Sequence, residues 1–265
     1  MYTDEQFEKL EREEYKLTDE ELAVIILLLA NTKRHIEEEL FDFYRKYGKD
    51  GIVTYQEARK WVGRNDRRKR LAVLLYWLNS EFNSTLNQIR PKFKSFLTGV
   101  IGKECEFFDV TLDIDDILSQ PWGVDNLTWL ERLENDVLRW NSVISTDIKR
   151  SLLRRDNIDT VLEQLNKRFE SIESIIRKLG VTESTAVGSL ARREIFKELG
   201  VSKYRFYTQV DERRCETCGS MHGLVFPITA YEVGVTASPM HPFVVAGKFL
   251  LSEIKTFQLK HTYRR

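Results

Sequence analysis

The sequence predicts a mainly α protein, with an elongated helical body followed by a small C-terminal β-containing cysteine module. Three observations carry this. Apolar residues recur at three- and four-residue steps from the N-terminus to about residue 200. Glycine and proline are scarce, at 13 and 5 of 265 residues, so few positions interrupt the helical pattern. The texture then changes at Tyr204–Val210, "YRFYTQV", which is aromatic and β-branched and reads as a strand, with "GLVFPIT" as a second. The expected organisation is an N-terminal helical region over 1–120, a helical body over 121–200, a small module over 201–243 and an atypical tail over 244–265.

Composition narrows the function classes. The 41 Lys and Arg residues balance 41 Asp and Glu, which excludes a polybasic or polyacidic tail protein. Any nucleic-acid contact is left to a local patch. The acidic N-terminus lacks the basic-then-apolar order of a secretory signal. The longest apolar run, Leu22–Ala30, is too short to span a bilayer, so no membrane partner is expected. Three cysteines do not make a disulfide framework and fit a reducing, cytosolic place of synthesis.

Taken in order, Thr18 with Glu21 three residues later reads as a capping-box helix start. Leu22, Ile25, Ile26, Leu29, Ile36, Leu40 and Phe43 line the core face of the helix that follows. In "KYGKDGIVTYQEARKWV", Gly51 and Glu57 fall where a calcium loop has its glycine and closing carboxylate. Lys46 and Gly48 then occupy the first two ligand positions and supply no side-chain oxygen, so a turn is expected, with "VTYQEARKW" opening the next helix. The "RNDRRKR" cluster is the sharpest basic spot. Arg64, Arg67, Arg68, Lys69 and Arg70 are candidate phosphate contacts, and the plainer reading is a solvated helix end. From there the pattern reads as one long helix or two, interrupted near Pro91.

Pro121-Trp122-Gly123 marks a break, and Trp122, Trp129 and Trp140 read as packing anchors. Asn157 or Asp156 caps the next helix, which Gly200 ends. No Gly-rich phosphate loop and no Ser/His/Asp constellation is present.

Cys215 and Cys218 form a C-x-x-C on a predicted turn. Two thiolates at that spacing hold one edge of a zinc tetrahedron, with His241 as third ligand and His222 as a further candidate. A module of this size has little core of its own, so a metal would help it fold. The redox reading lacks a thioredoxin-like βαβ context. The plain alternative is a pair of reduced structural cysteines, and no cofactor other than Zn²⁺ is indicated.

Tyr207, Thr208, Asp211, Arg213 or Arg214, Cys215, Cys218, Gly223, Phe226, Pro239, His241 and Pro242 occur in an ordered series. This series resembles the C-terminal signature of the phage head morphogenesis family, the Mu protein F-like minor head proteins. Upstream, "WLERLENDVLRWNSVISTDIKRSL" resembles the family's helical body, and Thr182 with Glu183 resembles its Thr-Glu segment. The match covers roughly residues 120 to 243. The resemblance implies a portal-associated minor capsid protein that supports procapsid assembly and DNA packaging or delivery. It implies a place in the bacterial host cytoplasm during assembly and in the virion head thereafter. The implied partners are the portal, other capsid and scaffold proteins, and phage DNA; no catalysis is implied. The alternative is a DNA-binding protein with a zinc-knuckle module on a helical scaffold.

One departure stands out. The family pattern continues His-Pro-x-Cys-Arg-Cys, whereas this chain has His241-Pro242-Phe243 followed by Val244-Val245-Ala246. Phe-Cys-Arg-Cys can be encoded TTT TGT CGT TGC. Loss of one T from that first run turns it into Phe-Val-Val-Ala. Two readings stand for residues 244 onward: an out-of-frame tail, or a natural divergent one. Either way Cys215, Cys218 and His241 remain, with His222, water or nothing as a fourth ligand, and weakened metal affinity is expected.

Overall fold

The computed structural model describes residues 4–63, 66–207, 216–240 and 248–250. It is mainly α, as the periodicity predicts. The described elements run α1 (Asp4–Tyr47), α2 (Tyr55–Ala58), β1 (Trp61–Gly63), β2 (Asp66–Lys69), α3 (Arg70–Phe108), α4 (Ile114–Ser119), α5 (Trp129–Arg154) and α6 (Ile158–Glu198). They continue with β3 (Lys203–Tyr207), α7 (Glu216–Met221), β4 (Val225–Pro227), a 3-10 turn (Ile228–Ala230) and β5 (Lys248–Leu250). The chain divides into two compact units. The first collects the described residues of Met1–Thr18, Leu97–Thr128 and Val181–Arg265; the second is Asp19–Phe96 with Trp129–Gly180.

The second unit buries one stripe from each of four helical segments. Ile25, Leu29, Ile36 and Leu40 of α1 are buried, as are Leu74, Leu78, Phe82 and Ile89 of α3. Val137, Trp140, Ile144 and Ile148 of α5 and Leu165, Phe169, Ile172 and Ile176 of α6 complete it. Each set keeps the three- and four-residue steps of a helix face. Trp129 lies flat on Phe93, with ring centroids 5.8 Å apart and planes 4° apart. Trp129 and Trp140 are thus core anchors. Asn157 is the cap of α6, accepting from the Thr160 amide at 2.9 Å. Asp156 instead takes Arg154 at 2.7 Å.

Three sequence expectations are corrected. Thr18 does not start a helix. The apolar phase of Phe7 and Leu10 runs through it into Leu22, and its buried hydroxyl donates back to the Glu14 carbonyl at 2.9 Å. The "VTYQEARKW" helix is a single turn, capped by Thr54, whose hydroxyl accepts from the Glu57 amide at 3.2 Å. The basic cluster is not a helix end: β1 and β2 form an antiparallel hairpin, with Trp61 paired to Lys69. Arg70 then opens α3, which runs unbroken to Phe108 with Pro91 inside it. The calcium-like stretch is a tight turn in which Lys49 pairs with Ile52 and Asp50 and Gly51 take φ of 52° and 74°.

In the first unit the C-terminal half of α6 is enclosed on nearly every side. From Thr182 to Phe196, residues of all phases are buried, among them Thr182, Glu183, Ser184, Ala186, Ser189 and Ala191. Small side chains let the neighbouring helices come close. A Cβ at Gly188 would lie 3.5 Å from Val100 and 3.7 Å from the carboxylates of both Glu104 and Glu14. The helix ends in a Schellman motif: Val201 N–H reaches the Phe196 carbonyl at 2.8 Å, Gly200 N–H reaches that of Lys197 at 3.1 Å, and Gly200 has φ 67°. β3 is the centre of a three-stranded antiparallel sheet in the order β4-β3-β5. Tyr204 pairs with Phe226, and Phe206 with Phe249.

Candidate functional site

Aromatic rings fasten the C-terminal module to the helices of the first unit. Phe108 of α3 meets Phe196 of α6 edge-on at 5.8 Å, and Phe196 meets Tyr231 at 6.3 Å. Tyr231 meets Tyr204 of β3 at 4.6 Å, and Tyr204 stacks on Phe226 of β4 at 5.6 Å. The Tyr204 hydroxyl donates to the Thr236 carbonyl at 3.2 Å. Two signature positions, Gly223 and Phe226, therefore have structural work: Gly223 takes φ 80° in the turn before β4, and Phe226 covers Tyr204.

Of the predicted zinc ligands, Cys215 and His241 lie outside the described residues, as do Thr208, Asp211 and Pro242. Cys218 sits on α7 rather than on a turn, where it is buried, and His222 follows in the turn after that helix. Among the described residues no group of three or more His, Cys, Asp and Glu side chains is placed to hold a metal. Cys218 and His222 are thus two donors on one short segment of a larger candidate set.

The Thr-Glu segment lies in the enclosed half of α6. Glu183 is fully buried, and its Oε2 accepts from the Trp122 indole N–H at 2.8 Å. Trp122 belongs to the Pro-Trp-Gly break, so that break anchors α6 as well as ending a helical run. Arg193, further along the same helix, donates to Gln120 Oε1 at 2.6 Å beside the same break.

Further along α6 from the Thr-Glu segment, at Arg192, is a buried charge cluster that motif reading missed. Arg192 of α6 and Glu104 of α3 pair through two N–H···O contacts, with Arg192 5% and Glu104 0% exposed. Burial opposes the Arg192 charge, and the Glu104 carboxylate more than offsets it, holding the guanidinium firmly protonated. Glu14 of α1 is the third member. Its carboxyl is fully enclosed near that of Glu104, and its Oε1 has no hydrogen-bond partner. Burial first, and the Glu104 charge second, push its pKa well above the carboxylate range. Burial beside the Glu104–Arg192 pair therefore favours the protonated form of Glu14. The Tyr231 hydroxyl is pushed up by burial in the same surroundings. A signal existed in the sequence: Phe7, Leu10, Glu14 and Thr18 keep one helical phase, so Glu14 occupies a core position.

In the second unit the basic hairpin separates its cations by role. Arg70 lies over the Tyr47 ring at 4.3 Å and pairs with Glu57 at 3.1 Å, rooting the hairpin. Lys60 also pairs with Glu57. Arg68 is held by Asp66 at 2.8 Å and 3.0 Å. Arg67 is exposed, and Lys69 lies over the Trp61 ring at 5.8 Å. Arg64 lies outside the described residues.

No protein-family model matches the chain, and neither a curated protein nor a solved structure matches it. Among the described residues no helix is long and apolar enough to cross a membrane.

Proposed function

We propose that the chain is a phage or prophage minor head protein, associated with the portal and supporting procapsid assembly and DNA packaging or delivery. The observation that carries this reading is the ordered residue series from Tyr207 to Pro242. Support comes from what the matching residues do in the fold. Glu183 of the Thr-Glu segment is tied to Trp122, and Phe226 is stacked on Tyr204. Signature residues engaged in packing rather than in chemistry suit a protein whose business is contact with other proteins. The reading assigns no catalytic residue.

The test is a search for a portal gene beside this chain's gene and co-expression of the two products, followed by sizing of the assembly. Co-migration with the portal oligomer in nuclease-treated extract is the expected result. A chain that migrates alone, with no portal gene in its neighbourhood, would overturn the reading. The coding DNA tests the tail separately: a Cys-Arg-Cys segment in the alternative frame after Phe243 identifies a frameshift, and its absence identifies a divergent tail.

A further inference from the structure

The β1–β2 hairpin concentrates positive charge in a chain whose charges cancel overall. Between Glu57 and Arg70 basic residues outnumber acidic ones seven to two. Pairing decides which of them a partner can use. Arg68, Lys60 and Arg70 are held by Asp66 and Glu57. Arg67 is exposed and lies two residues before Lys69 on β2, in the stretch where the pairing with β1 shifts register. Trp61, the cross-strand partner of Lys69, is 56% exposed. The open face of the hairpin is therefore an indole with Lys69 over its ring and Arg67 exposed two residues away on β2, rooted by Arg70.

We propose that this face is a nucleic-acid contact, in which Arg67 and Lys69 engage phosphodiester oxygens and Trp61 packs on an adjacent base or sugar. Two considerations favour nucleic acid over an acidic protein. An exposed indole flanked by cations matches a polymer that alternates phosphate with flat rings. A two-stranded ribbon also has the width of a duplex groove. The contact is independent of the cysteine module, so it requires no metal.

Binding of the full chain to labelled single-stranded and duplex oligonucleotides, followed by fluorescence anisotropy, tests this. Wild type is expected to bind, with affinity falling as salt rises. Arg67→Gln with Lys69→Gln is expected to weaken binding about tenfold and to lower the log–log salt slope by about 2, since each lost phosphate contact removes about 0.9. Trp61→Ala is expected to weaken it about five- to tenfold. A loss confined to single strands assigns base stacking, and a loss on both forms assigns a groove contact. Ultraviolet cross-linking of wild-type protein, with the adduct mapped to the hairpin, gives a readout that needs no variant. The proposal is overturned by an absence of binding at low salt, by unchanged affinity in the double variant, or by polyglutamate competing as well as the oligonucleotide.

Discussion

Arg192 and Glu104 form an ion pair from which water is excluded on both sides, 88 residues apart in the chain. Such a pair fixes the registry of α6 against α3, because neither charge has another place to go. Breaking one partner leaves the other buried and uncompensated, at a cost of about 3–5 kcal/mol. Arg192→Met should therefore destabilise the protein strongly in chemical denaturation. Arg192→Met with Glu104→Gln should recover part of the loss. A single variant as stable as wild type would refute the pairing.

Glu14 makes stability depend on pH in a stated direction. Its folded-state pKa is raised, so the folded chain retains a proton that the unfolded chain releases. The stability it confers is present in full below the unfolded carboxylate value and declines as pH rises above it, until the raised folded value is passed. Glu14→Gln keeps the size and polarity of the side chain and removes the titration. Denaturation midpoints of the variant should fall less between mildly acidic and alkaline pH than those of wild type.

Gly180 is a helix-interior glycine whose replacement should not help. Alanine would gain about 1 kcal/mol of helix propensity. Its Cβ, however, would clash with both methyls of Leu22, a side chain only 2% exposed. Overpacking costs about 1–3 kcal/mol, so Gly180→Ala is expected to be neutral to destabilising. Adding Leu22→Ala should relieve the clash, which a double-mutant cycle would detect as coupling.

Trp122→Phe removes the indole donor from Glu183 while keeping an aromatic ring. A hydrogen bond to a buried carboxyl group contributes about 1.5–3 kcal/mol. A loss in that range in thermal or chemical unfolding is expected, and a neutral result would show that Glu183 does not depend on Trp122.

Chelation should leave the helical units standing, since their cores are apolar side chains rather than metal ligands. Native mass spectrometry is expected to show any zinc on Cys215, Cys218, His222 and His241 as weakly held and removable by EDTA. The cooperative melting of the helices should not change. A fall in melting temperature on chelation would make the metal a structural element of the fold.

Local signals were legible in the sequence, and signals that depend on environment were not. The core stripe of α1, the Asn157 cap, the Gly200 stop and strands β3 and β4 could each be read within a few residues. The hairpin was hidden because its strands are three and four residues long and charged, so they carry no apolar alternation. Thr18 misled because a hydroxyl that caps a helix and one that bonds back to the preceding turn share the same local sequence. Only the apolar phase running through Glu14 and Thr18 separates the two. Glu104 and Arg192 were overlooked because charge reads as surface until a partner from another helix is known. The zinc set was legible as spacing, but only Cys218 and His222 of it lie in the described residues.

The enclosed half of α6 has a consequence for the order in which the chain folds. Its run of Gly, Val, Thr, Glu, Ser, Thr and Ala from Gly180 to Ala186 includes several of the weaker helix formers. Such a stretch gains little from being helical in isolation and much from being surrounded. It should therefore remain uncoiled in early intermediates and wind up only as α1 and α3 close around it. The most central element of the first unit would then be among the last to acquire its shape.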